Sequence, residues 1–273
     1  MSYQALSLGG LDYLPCRYGH SKILFRGPRR SLNDSFVAFF GGTTTYGKFI
    51  QTPFPDALEA ELGITCVNFG SLNGGVDVLA TDPFLRDVAN KAAATVIQVT
   101  SPRNMSNRFY RVHPRRNDRF VDASAWLRAI YRDVDFAEFN FTNHMLQRLI
   151  TVSPGRFETV LDELRAAWVA RMRLVLSQIQ GESILLWASD LSPEEADCDL
   201  NAEPAFVNRM MLEEVASLAT HYVEAVASPE AKATGTDGMV LSEMDVPAAS
   251  KMLGPSVHKE IAMALKPALQ SVL

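Results

Sequence analysis

The stretch FFGGTTTYGKF, residues 39–49, decides the fold. It closes an apolar run, Val37-Ala38-Phe39-Phe40, with two glycines, three threonines, a tyrosine and a third glycine. A run of that length and composition predicts a short buried strand over 36–40. The hydroxyls and small residues behind it would then lie at the strand's carboxyl end, where open parallel sheets bind ligands.

Working outward, PFPDALEAELG (53–63) reads as a helix with proline near its start and Gly63 at its end. ITCVNF (64–69) is a second strand, followed by a glycine-rich turn and a helix expected from about 76 to 93. ATVIQVT (94–100) is a third strand. Residues 101–152 are less regular and read as an inserted excursion. Ser153 and Pro154 then start a long helix with Phe157, Val160, Leu161, Leu164, Trp168, Met172, Val175 and Ile179 on one face. SILLWAS (183–189) is a fourth strand; a helix is expected near 204–227, a short strand near 238–241 and a last helix from about 255. This alternation implies a parallel sheet with helices on both faces, in a single α/β domain spanning 1–273.

Composition restricts the function classes. The chain has 273 residues, 47% hydrophobic and 21% charged, with net charge −5, which argues against general nucleic-acid binding. Cys16, Cys66 and Cys198 form neither a disulfide framework nor a zinc pattern, so no metal or other cofactor is expected. The opening MSYQALSLGGLDYLPC lacks a basic region and a continuous apolar core. No signal peptide, no membrane span and a cytoplasmic location are therefore expected. No Walker A or dinucleotide fingerprint is present.

Three strand ends carry polar residues that should converge: Gly41 to Gly47, Asn68 to Gly75, and Thr100 to Asn104. His258 stands at the mouth of the last helix, in GPSVHKEIA (254–262). A hydroxyl, amides beside glycine, a carboxamide and an imidazole are the parts of an acyl-transfer site. The threonines could equally cap the following turn, and Asn104 could serve a turn.

In order and spacing these blocks resemble the SGNH/GDSL hydrolase superfamily of esterases, lipases and carbohydrate O-acetylesterases. Its first block falls on Gly41, Gly42, Thr43, Thr45 and Gly47, its second on Asn68, Gly70 and Gly74, its third on Asn104 and its last on His258. The chain is also similar to an uncharacterised bacterial domain family of this general build. The superfamily resemblance implies a three-layer, flavodoxin-like parallel sheet. It also implies Thr43 as nucleophile or oxyanion donor, His258 as base, and Gly74 with Asn104 as oxyanion hole. The departures are specific. Threonine replaces the family's serine, Gly42 its aspartate, and Pro255 the acid that orients the histidine. Asp245 is the substitute carried forward, with Glu243 and Asp190 as further candidates.

The segment RNMSNRFYRVHPRRNDR (103–119) concentrates arginines on a net-acidic chain. Arg103, Arg108 and Arg111, with Gly42, Thr45 and Asn73, are expected to bind an anionic, carbohydrate-linked or small-molecule substrate. The arginines could instead pair with carboxylates elsewhere or lie across a homodimer interface; nucleic acid and membrane are not expected partners. Three readings stand open: an esterase or acyltransferase using Thr43, a non-catalytic relative that binds an anionic glycan or metabolite, and an interaction protein that uses the 101–152 excursion.

Overall fold

The computed structural model describes residues 10–273. Its first half runs β1 (Phe36–Gly41), the one-turn α1 (Thr43–Tyr46), α2 (Phe54–Leu62), β2 (Thr65–Gly70), α3 (Asp77–Thr81), α4 (Pro83–Lys91) and β3 (Ala94–Gln98). There follow β4 (Tyr110–His113), β5 (Arg116–Ala123), α5 (Ala125–Ile130), α6 (Thr142–Val152), α7 (Pro154–Ser177) and β6 (Glu182–Ser189). The chain closes with α8 (Arg209–Ala216), β7 (His221–Val226), α9 (Pro229–Ala233), α10 (Val246–Ala249) and α11 (Pro255–Val272).

The main sheet has five strands in the order β2-β1-β3-β6-β7, every pair parallel. Renumbered within the sheet, that is 2-1-3-4-5, the flavodoxin-like order, with its switch point between β1 and β3. Side-chain alternation builds the three layers. Phe36, Ala38 and Phe40 join a core with α3, α4, α7 and α8, while Val37 and Phe39 join α2 and α11 on the other face. Burial on both faces explains why β1 reads as continuous apolar sequence. Each phenylalanine and Val37 contributes about 1.5–3 kcal/mol by leaving water.

Four sequence expectations are corrected. The helix expected over 76–93 is two helices, because Asp82 caps α4 by accepting from the Phe84 N–H at 3.0 Å and Pro83 opens it. The helix expected over 204–227 forms only at Arg209–Ala216, and the later residues make β7. The apolar period changes there from helical to two: Tyr222 packs toward one core, Val223 and Ala225 toward the other. The strand expected near 238–241 does not form; that stretch is a loop tied by the Val240 N–H to the Phe49 carbonyl at 2.9 Å.

The excursion at 101–152 is also more ordered than its sequence suggests. A β4–β5 hairpin, α5 and α6 enclose a separate core with the first half of α7, including Tyr110, Leu127, Tyr131, Leu146, Phe157 and Val160. Phe109 and Tyr110 are buried in it and offer no stacking platform to nucleic acid. Trp168, farther along α7, is fully buried and donates from Nε1 to the Thr100 carbonyl at 2.8 Å, which anchors the segment leaving β3. Among the described residues no helix is long and apolar enough to cross a membrane.

Candidate ligand cavity at the carboxyl ends of the sheet

A cavity of about 790 Å³ opens over the carboxyl ends of the strands, with lining from Gly42 and Thr43 behind β1, Asn73 behind β2 and Gln98 at the end of β3. Asp190 behind β6, Lys232 in α9 and the 249–254 loop complete the wall, and His258 of α11 reaches it from the side.

The turn behind β1 is held from beneath. Asn68 donates from Nδ2 to the Thr45 carbonyl at 2.6 Å and accepts from the Gly70 N–H at 2.9 Å. Gln98 Oε1 accepts from the Gly42 N–H at 3.1 Å, the Thr45 N–H at 3.2 Å and the Thr45 hydroxyl at 2.7 Å. Gly41 has to be glycine, since a Cβ there would stand 2.2 Å from Thr45 Oγ1 and 2.5 Å from Gln98 Oε1. Gly42 is in the cavity wall, and a side chain at that position would press on the Gly74 carbonyl at 3.1 Å.

Most of the expected catalytic parts line the cavity, but their hydrogen bonds do not connect them as a hydrolase needs. The Thr43 hydroxyl donates to Asn73 Oδ1 at 3.3 Å and accepts from the Asn73 N–H at 2.9 Å; no bond joins it to His258. The Gly74 N–H is spent on the Ser71 carbonyl at 2.9 Å, so it is not an oxyanion donor. Asn104 donates from Nδ2 to the Asn73 carbonyl and accepts from the Thr142 hydroxyl, both at 3.3 Å, keeping one N–H in reserve. Thr45 is buried against Gln98 and does not face the cavity. Asp245 accepts from the Ser242 hydroxyl at 2.7 Å and from its N–H at 3.1 Å, in a capping box, and makes no bond to His258. Those hydrogen bonds hold its carboxyl below the usual range.

His258 carries the central difference. In the usual dyad, the base keeps a lone pair on Nε2 while Nδ1–H is held by an acid. Here Nδ1 accepts the Phe54 N–H at 3.2 Å, with the Phe54 ring stacked on the imidazole at 5.8 Å between centroids. A neutral ring with an accepting Nδ1 carries its proton on Nε2. Burial, reinforced by the charge of nearby Arg26, pushes the His258 pKa down to about 3, so the ring stays neutral. His258 is therefore arranged as a donor and not as a base.

The arginines split three ways. Arg103 is in the cavity wall but is clamped to the Leu200 carbonyl and to Glu203 at 2.6 Å. Arg108 pairs with Glu163 at 2.5 Å and Arg111 with Asp122 at 3.6 Å; neither reaches the cavity. Those two are largely exposed and lie outside this cavity. Sequence reading missed Gln98, Lys48, Lys232 and Lys251 as wall residues; Arg26, in the basic cluster FRGPRR before β1, is buried and donates to four backbone carbonyls. Gln98 had one visible signal, a polar residue near the end of an apolar strand. Among the described residues no cluster of His, Cys, Asp and Glu could hold a metal ion.

No curated protein matches the chain. Among solved structures it is similar to the lipase Lip_vut3 from a goat rumen metagenome, at 11% identity and TM-score 0.48 over 86% of this chain and 97% of that one. It is also similar to a Lactobacillus plantarum protein, at 13% identity and TM-score 0.41 over 87% and 97%. A third is LAE5, an α/β hydrolase enzyme from the metagenome of Lake Arreo, Spain, at 16% identity and TM-score 0.40 over 88% and 96%. The family model described as domain of unknown function DUF6473 matches residues 1–273, and the chain belongs to that family.

Proposed function

We propose that this protein binds an anionic small molecule, free or carbohydrate-linked, in the cavity at the carboxyl ends of the sheet, on a frame resembling SGNH hydrolases but without their covalent chemistry. The observation that carries the reading is the polarity of His258: with Nδ1 filled by the Phe54 N–H, the imidazole has no lone pair to offer a hydroxyl. The charge of the wall supports an anion. The wall holds four cations, Lys48, Arg103, Lys232 and Lys251, against two carboxylates, Asp190 and Glu203, on a chain of net charge −5. Arg103 already neutralises Glu203, whereas among the described residues the three lysines have no ion-pair partner. Ester hydrolysis is the second reading, favoured by Thr43 and His258 lining one cavity.

Calorimetric titration with glucuronate, glucose 6-phosphate and inorganic phosphate, against glucose, separates the two, together with p-nitrophenyl acetate turnover. Binding of the anionic probes but not glucose is expected. Lys48→Ala and Lys251→Ala should each weaken it about tenfold, the scale of one charge-assisted contact. Turnover by wild type that disappears in Thr43→Ala would overturn this reading in favour of hydrolysis.

A further inference from the structure

Three side chains in the cavity wall share one arrangement: the acceptor is filled from behind and a donor is left over. Gln98 is 3% exposed, and its Oε1 already takes three hydrogen bonds from Gly42 and Thr45. Three donors on one side settle which end of the carboxamide is oxygen, since the NH₂ could not face them. Its Nε2 has no partner among the described residues, and Gln98 lines the cavity. His258, 2% exposed, repeats the pattern with Nδ1 filled by the Phe54 N–H. Asn104 does so in part, with one Nδ2 proton on the Asn73 carbonyl and the Thr142 hydroxyl shared between its Oδ1 and the Asp118 carbonyl.

None of these donors is sealed from the cavity, so a ligand oxygen would take the place of water there. A neutral sugar hydroxyl brings a proton of its own to place, and neither Gln98 nor His258 has an acceptor to receive it. A carboxylate or phosphate brings acceptors only. Resting on the binding function proposed above, we infer that Gln98 holds the ligand's terminal oxyanion through Nε2, with His258 and Asn104 as fellow donors, so that the cavity selects a carboxylate or phosphate group.

Gln98→Glu tests this directly. The new carboxylate still accepts from Gly42 and Thr45, so the melting temperature should hold, while the cavity-facing NH₂ becomes an oxyanion. Glucuronate and inorganic phosphate should both bind about 100-fold more weakly, the scale of a like-charge contact. In wild type, the Gln98 side-chain amide NMR signals should shift on saturation with either probe, which keeps the test valid if the variant does not fold. Tighter binding of glucuronate assigns the site to carboxylates, and tighter binding of phosphate to phosphates. Wild type that binds neither probe refutes the binding function and this inference with it. Wild type that binds, with Gln98→Glu equally tight or the Gln98 amide signals unmoved at saturation, overturns this inference alone.

Discussion

Arg26→Met is expected to destabilise the protein by about 3–5 kcal/mol, read as a lower urea midpoint at unchanged slope. Arg26 is 7% exposed, and its guanidinium donates to Gly47 O at 2.7 Å, Ile50 O at 2.8 Å, Gln51 O at 2.9 Å and, more weakly, Tyr46 O at 3.4 Å. Those carbonyls turn inward because the connection from α1 to α2 folds back on itself, with positive φ at Gly47 and Phe49. Removing the donors leaves several orphaned carbonyls at about 1–3 kcal/mol each, reduced by whatever relaxation the loop allows. Arg26→Lys keeps the charge but loses the planar fork, so it should fall between the two. A loss below about 0.5 kcal/mol in Arg26→Met, the range of an ordinary surface change, would contradict the role. The loop leads directly to Phe54, whose N–H fixes His258, so the same variant should also loosen the imidazole.

The second large effect is a pH dependence. Burial holds the folded-state pKa of His258 at about 3, against about 6.5 for a free imidazole. Between those values the unfolded chain takes up a proton that the folded chain refuses. Stability from this residue is therefore complete above about pH 6.5 and falls as the pH drops, by about 1.4 kcal/mol per unit. From pH 6.5 to 4.5 that amounts to about 2 kcal/mol, since the unfolded histidine is only half protonated at the upper limit. His258→Asn keeps an acceptor for the Phe54 N–H but does not titrate, so its unfolding free energy should fall less over the same range. Carboxylates act in both proteins and cancel in the difference. Parallel curves for the two would show that His258 is protonated in the fold.

The sequence made the frame readable because the frame is local. β1 announces itself by five apolar residues ending at Gly41-Gly42, and α7 by its Ser153 cap, Pro154 and a regular apolar stripe. The convergence of strand ends on one cavity follows from the parallel order alone. What stayed hidden depends on partners far along the chain. His258 takes its polarity from Phe54, 204 residues away, and no spacing rule reveals which nitrogen a backbone amide will meet. Arg103 finds Glu203 100 residues later and Arg108 finds Glu163 55 residues later, so an arginine-rich segment looked free when two of its members were already paired. Gln98 is passed over because it sits inside an apolar run. β7 is lost because its two-residue period directly follows helical α8, with no glycine or proline between them.

The central claim is that His258 presents a fixed N–H donor to the cavity, and ¹⁵N NMR of the imidazole reads this directly. The account predicts an unprotonated Nδ1 and a protonated Nε2, with no titration from about pH 8 to about pH 5. A proton on Nδ1 with Nε2 free, or a transition near the ordinary imidazole pKa, would contradict it and restore His258 as a candidate base beside Thr43.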